Sequence, residues 1–144
     1  MSYEVQAESG LTVMGIFTRA SNSTPHLIGD LWRKAHAQGD AKAVAARQND
    51  DLYCVYTEYD GDYTQPYTVV IGCLVEPDAE VPDGMKKVTI DAGNFALFPV
   101  IMDHPLPGPT KWAEIWTIPL NRRYQADYDL YGQHGKLTIH VGVR

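Results

Sequence analysis

The order of secondary-structure signals repeats once along this chain of 144 residues. Each half predicts a strand, an amphipathic helix and two further strands, and the second set follows the first at a spacing of about eighty residues. Each half also begins with a short lead-in strand. A half of about 1–76 or about 85–144 is too small to close its own core, so we expect both halves to pack as a single domain spanning 1–144. The matching segments are LTVMGIFT with NFALFPVI, the helix of Trp32 with that of Trp112, YCVYTEY with YDLYGQ, and YTVVIGCLV with KLTIHVGV.

Alternating and helical patterns place the individual elements. Helices are predicted at His26–Gln38 and from Thr110 to just before Pro119, because apolar side chains recur there at helical spacing. The segment HPLPGP, from His104 to Pro109, predicts a rigid loop, and Pro99 is expected at a sheet edge or a bulge. We therefore predict an α+β fold with an antiparallel sheet, two main helices and a ligand groove in the crease between the halves. The predicted strands are Tyr3–Gln6, Leu11–Thr18, Leu52–Tyr59, Tyr67–Val75, Met85–Ile90, Asn94–Met102, Tyr128–Tyr131 and Leu137–Val143.

The charge of the chain argues against one class of function. With 12 basic and 18 acidic residues, the formal net charge is -6 and the pI is about 5.2. A protein that grips nucleic acid directly needs a basic face, so direct nucleic-acid binding is not expected. The same balance mildly favours the attraction of cations. Nine Tyr and three Trp add large rigid surfaces with a polar tip.

Cysteine and histidine usage indicates neither a disulfide framework nor a metal site. Cys54 and Cys73 are too few and lack CxxC spacing, so we predict free, partly buried thiols in a reducing cytosol. The five histidines are scattered without metal-binding spacing, so we expect no zinc site and no cofactor. The sequence shows no signal peptide and no apolar run of ~18 residues, so we expect a cytoplasmic protein with no membrane partner.

The segment from Lys111 to Tyr131 combines aromatic residues with acids. Trp112 and Trp116 share one stripe of the predicted helix, and strand alternation places Asp129 and Tyr131 on one face together with Asp127. Aromatic walls with a carboxylate suit a cationic, partly apolar small molecule, because ring faces and the acid both attract positive charge. The alternative is structural: the two tryptophans could simply seal the helix to its sheet.

Five segments carry a family resemblance: LYCVYTEYDGDYTQPYTVVIGCLV, VPDGM, DAGNFALFPV, KWAEIW and DYDLY. Together they resemble the GyrI-like effector-binding domains, which also occur as the drug-binding part of AraC- and MerR-type regulators and as standalone integron-cassette proteins. The resemblance covers essentially the whole chain. It implies a tandem of strand-helix-strand-strand modules, related by a pseudo-twofold axis, around a groove for amphipathic, often cationic compounds. The family's Phe-Glu-aliphatic-Tyr run corresponds to Tyr128, Asp129, Leu130 and Tyr131, so the pocket acid is one methylene shorter here.

Pattern and resemblance together predict binding of small amphipathic, cationic compounds, without assigned catalytic residues. The regulators of this family carry a helix-turn-helix domain before the effector domain. Because the first predicted strand begins within a few residues of Met1, we expect no such domain here. Two alternatives stay open: hydrolysis of reactive electrophilic toxins, with Asp129, Glu114 or a Tyr as acid or base, and binding of a protein, as in gyrase inhibition. Edge strands could also pair into a homodimer. The candidate ligand-binding residues are Tyr56, Glu58, Tyr67, Trp112, Trp116, Asp129 and Tyr131.

Overall fold

The computed structural model describes residues 3–62, 64–100, 107–132 and 136–144, with no description of the side chains of 107–110. The predicted α+β class is confirmed, with strands in one antiparallel sheet and two α-helices. In chain order the elements are β1 (Glu4–Glu8), β2 (Leu11–Ala20), α1 (Pro25–Ala37), a 3-10 turn (Asp40–Ala43), β3 (Leu52–Thr57), β4 (Tyr67–Leu74), β5 (Met85–Ile90), β6 (Gly93–Val100), α2 (Pro107–Ile115), β7 (Ala126–Tyr131) and β8 (Leu137–Val143).

The strand order of the sheet is symmetric about its centre. The order is β1-β6-β8-β7-β3-β4-β2-β5, so the third strands of the two halves, β3 and β7, pair in the middle with Cys54 opposite Asp129. Outward from that pair, each half adds its fourth and then its second strand. The outermost strands are exchanged: β1 of the first half pairs with β6 of the second, and β5 pairs with β2. This exchange joins the two halves into one sheet.

Both helices lie on the face of the sheet that carries Asp129. Leu31 of α1 packs in a buried cluster with Ile71 and with Cys54, which is paired with Asp129. Ile115 of α2 packs in a second cluster on β6 and β8, together with the half-buried ring of Trp112. The central strands β3 and β7 therefore form a floor between the two helices.

The start of α2 differs from the prediction. The helix begins at Pro107, so the predicted rigid loop is wrong from Pro107 onward, and His104 to Leu106 lie outside the described residues. The first four N–H groups of a helix have no intrahelical acceptor, so prolines in the first turn cost it no hydrogen bond. Pro99 lies in β6 two residues beyond Leu97, the last residue paired with β1 in the described part of the chain, and it pairs with Thr138 of β8.

The opposite face of the sheet is closed by an acid from β1. The Glu8 carboxylate accepts a hydrogen bond from the Tyr128 hydroxyl at 2.7 Å and contacts His140 Nδ1 at 3.0 Å. The rings of Tyr128 and His140 stack with centroids 4.3 Å apart. The side chain of Glu8 thus connects the outermost strand β1 to the inner strands β7 and β8.

Replacing Glu8 by Gln is expected to destabilise the protein by about 1–3 kcal/mol, because the carboxylate contacts two buried side chains, Tyr128 and His140, and the neutral amide keeps only one acceptor oxygen. Urea unfolding followed by tryptophan fluorescence measures this difference. Glu4→Gln is the matched control, since it makes the same change on the exposed part of the same strand and should stay within about 0.5 kcal/mol of the wild type. Equal stability of the two variants would contradict the role of Glu8.

Candidate functional site

Strand alternation in β7 separates its side chains as the sequence predicted. Asp127 and Asp129 point to the helix-bearing face and are 0% and 2% exposed. Tyr128 points to the opposite face, where it contacts Glu8 and His140. The helix-bearing face therefore carries two buried carboxyl groups close to each other, which is costly unless each is hydrogen-bonded or neutral.

Asp129 is held by two neutral donors from opposite halves of the chain. The Tyr56 hydroxyl of β3 donates to Oδ2 at 2.8 Å, and Trp112 Nε1 of α2 donates to Oδ1 at 2.9 Å. The rings of Tyr56 and Trp112 meet edge to face with centroids 5.4 Å apart. Among the residues that the structure describes, no Lys, Arg or His side chain forms an ion pair with Asp129.

The surroundings raise the pKa of Asp129 to about 7. Burial is the largest cause, because it disfavours the charged form. Hydrogen bonds from Tyr56 and Trp112 lower the pKa, while the nearby charge of Asp127 raises it. The carboxyl group therefore changes its charge near neutral pH, and a positive charge placed beside it would favour the ionised form.

Asp127 has a different set of partners. Its Oδ2 accepts hydrogen bonds from Arg122 Nη2 at 2.7 Å and from the Tyr59 hydroxyl, and its Oδ1 accepts the Gly142 N–H at 2.8 Å. The guanidinium carbon of Arg122 lies 4.4 Å from the centroid of the Tyr124 ring. The charge of Asp127 is thus balanced by Arg122, whereas Asp129 has no cationic partner among the described residues.

The structure brings most of the predicted site residues together. Tyr56, Trp112 and Asp129 are in direct contact, and Tyr67 joins them through an edge-to-face contact with Tyr56 at 6.1 Å. Tyr131 lies on the same face of β7, and its ring meets Trp32 of α1 edge to face at 5.1 Å. Aromatic rings from both helices and both central strands therefore line the floor around Asp129.

Two predicted residues lie elsewhere. Glu58 follows the end of β3 in a left-handed conformation, with φ of 52°, where it pairs with Lys86 at 3.2 Å and accepts a hydrogen bond from Thr68 at 2.7 Å. The residue leaves the strand before alternation can place it beside Tyr56. Trp116 follows the end of α2 and is 44% exposed. Neither residue is a hydrogen-bond partner of Asp129 in the part of the chain described.

A model of the integron-associated effector-binding proteins, the Cass2 family, matches residues 5–136. The chain belongs to this family. Among solved structures, it is similar to an integron cassette protein from the mobile metagenome of Vibrio cholerae, with 22% identity, a TM-score of 0.81, and coverage of 99% of this chain and 95% of that chain. It is also similar to SAV2435 bound to tetraphenylphosphonium, with 15% identity, a TM-score of 0.80, and coverage of 100% and 94%. No curated protein matches the sequence.

In this effector-binding protein the acid is covered. Asp129 is 2% exposed because the rings of Tyr56 and Trp112 lie over its two oxygens. A ligand can reach the carboxylate only if at least one of these rings moves. Trp112 belongs to α2, so a displacement of α2 or a rotation of this side chain would uncover Oδ1 of Asp129.

Three further residues of this region were not predicted from the sequence. Arg122 and Tyr59 contact Asp127, and Trp32 contacts Tyr131. Trp32 could have been selected, since the helix that carries it corresponds to the helix of Trp112 in the other half. Arg122 precedes β7 without a periodic pattern, so no signal in the sequence pointed to it.

The described residues give no indication of a metal centre or a membrane span. No group of three or more His, Cys, Asp or Glu side chains among them could hold a metal ion. Neither of the described helices is long and apolar enough to cross a membrane. Cys54 and Cys73 are free and buried, and burial raises the pKa of both thiols.

Proposed function

We propose that this protein binds small amphipathic cations between its two helices, with Asp129 as the counter-charge. The observation that carries the proposal is a buried carboxyl group that, among the described residues, is held by the neutral donors Tyr56 and Trp112 and lies beside aromatic rings. Ring faces and a carboxylate both attract a cation, and rings also bury the apolar part of such a ligand. The similar fold of SAV2435, bound to the cation tetraphenylphosphonium, supports the same class of ligand.

Binding would exchange one set of contacts for another. The cation takes a place beside Asp129 that the Trp112 ring covers in the free protein, and the freed rings of Tyr56 and Trp112 then flank the ligand. Because the pKa of Asp129 is about 7, part of the protein carries a proton there at neutral pH. A bound cation favours the ionised carboxylate, so binding releases that proton.

The first test is a calorimetric titration with tetraphenylphosphonium at pH 8. We expect a dissociation constant below ~1 mM, since weaker binding corresponds to only about 4 kcal/mol. Triphenylphosphine oxide is the neutral control with three of the same phenyl rings and should bind more weakly. Equal binding of both compounds would show that the carboxylate does not select charge, and absence of binding of several aromatic cations would contradict the proposal.

One observation favours a second candidate function, the hydrolysis of reactive electrophiles. A carboxyl group with a pKa of about 7 can exchange protons at working pH, as a general acid or base must. Mass spectrometry of an electrophilic substrate incubated with a small amount of protein separates the two functions. Many product molecules per protein molecule indicate catalysis, whereas capture of one equivalent indicates binding alone.

A further inference from the structure

The two buried acids of β7 form an adjacent pair on one face of the sheet. Asp127 and Asp129 are two residues apart on the strand, so their Cα atoms are separated by about 7 Å. The two carboxyl groups interact electrostatically, and the charge of Asp127 contributes to raising the pKa of Asp129. A ligand beside Asp129 therefore also interacts electrostatically with the Asp127 carboxylate.

Arg122 already supplies a cation to one member of this pair. Its Nη2 lies 2.7 Å from the Asp127 carboxylate, and the two side chains are only 7% and 0% exposed. The guanidinium carbon lies 5.7 Å from the ring centroid of Trp112, the same indole that donates its N–H to Asp129. With the Tyr124 ring at 4.4 Å, Arg122 occupies an aromatic frame that resembles a cation site.

We propose that Arg122 determines which ligand charge the site accepts. Arg122 neutralises Asp127, so the two acids together offer a single negative charge and the site selects monocations over dications. This inference rests on the proposed binding of cations at Asp129. It assigns the ligand class more narrowly: an aromatic compound with one positive charge.

The electrostatic reason is the position of the second charge. The guanidinium carbon of Arg122 lies 5.7 Å from the centroid of the Trp112 ring, and that ring contacts Asp129. A dication with one charge beside Asp129 would therefore bring its other charge toward the guanidinium of Arg122, and like charges repel inside a protein. Selection against a ligand by such repulsion is a common source of specificity. If Arg122 is made neutral, Asp127 becomes the partner for that second charge, and the preference should reverse.

The test uses two cations that share one biaryl frame, N-methyl-4-phenylpyridinium with one charge and methyl viologen with two charges. Calorimetric titrations at pH 8 give the ratio of their affinities. The wild type is expected to bind the monocation more tightly. In Arg122→Gln the ratio should shift toward the dication by about tenfold or more. Arg122→Lys retains the charge and should keep the wild-type preference.

Arg122→Gln leaves a buried acid without its ion-pair partner, which destabilises a protein and could prevent folding. Asp127→Asn then decides the question, because it retains Arg122 and removes the acid that neutralises it. This variant should bind both compounds more weakly and shift the ratio toward the monocation. Circular dichroism of each variant checks that the fold is retained.

The outcomes separate this inference from the function on which it rests. If the wild type binds neither of these compounds nor tetraphenylphosphonium, both proposals are overturned. If it binds tetraphenylphosphonium alone, only the inference about Arg122 is overturned. If it binds either compound and the ratio stays within a factor of about two in every folded variant, cation binding stands and the role of Arg122 is overturned. A shift toward the dication in Arg122→Lys as large as in Arg122→Gln would also overturn it, because charge would then not be the cause.

Discussion

Replacement of Asp129 by Asn is expected to lower the affinity for tetraphenylphosphonium about 100-fold at pH 8, which corresponds to about 2.7 kcal/mol. The wild-type carboxyl is mostly ionised at this pH, because its pKa is about 7. At pH 5 the wild-type group is protonated and neutral, so the two proteins should bind equally. Between pH 7 and pH 5 the wild-type affinity should fall about tenfold for each pH unit, whereas the variant should show a flat profile.

Two comparisons make this prediction specific to the charge of Asp129. Glu58→Gln makes the same carboxylate-to-amide change at an exposed position and should alter the affinity by no more than about twofold. Triphenylphosphine oxide should bind Asp129→Asn and the wild type alike. An equal loss of the neutral compound would mean that the substitution damages the shape of the site. A difference in cation affinity that persists at pH 5 would contradict ionisation as its cause.

Periodicity in the sequence predicted the class of the fold, and it also predicted which face of β7 carries Asp129. Alternation in DYDLY placed Asp129 on the face away from Tyr128, and the stripe of the second helix brought Trp112 over it. Tyr56 follows because β3 and β7 are equivalent strands of the two halves and pair at the centre of the sheet. These are local patterns with a period of two or 3.6, and burial of one face enforces them.

Other features depend on contacts that no local pattern encodes. β1 pairs with β6 and β5 pairs with β2, so each lead-in strand pairs with the other half. The composition of a short strand does not show with which sheet edge it will pair. Glu58 was assigned to the site by alternation, but the chain leaves the strand after Thr57 with a positive φ at the next residue. Arg122 is a long side chain whose partner is set by tertiary packing.

The free protein is expected to lose stability as pH rises from about 4 to about 7 because of Asp129. An unfolded Asp has a pKa near ~3.9, and the folded group has a pKa of about 7, so the folded state binds the proton more tightly within this window. The contribution of Asp129 to the free energy of unfolding is therefore fully present below the unfolded-state pKa, and it declines as pH rises through the folded-state pKa. Three pKa units correspond to about 4 kcal/mol as an upper estimate.

Asp129→Asn isolates this contribution, because every other titrating group is shared with the wild type. The amide oxygen can accept the Trp112 N–H, and the amide nitrogen can donate to the Tyr56 hydroxyl, so both partners keep a hydrogen bond. Thermal unfolding of both proteins at several pH values should show similar stability near pH 4 and a growing advantage of the variant up to pH 8. Tetraphenylphosphonium should offset much of that advantage at pH 8, because it binds the protein that retains the carboxylate more tightly and therefore stabilises it more than the variant. A stability difference that does not change with pH would mean that Asp129 is not forced to ionise in a buried site, and the charge that the proposed function requires would then be misplaced.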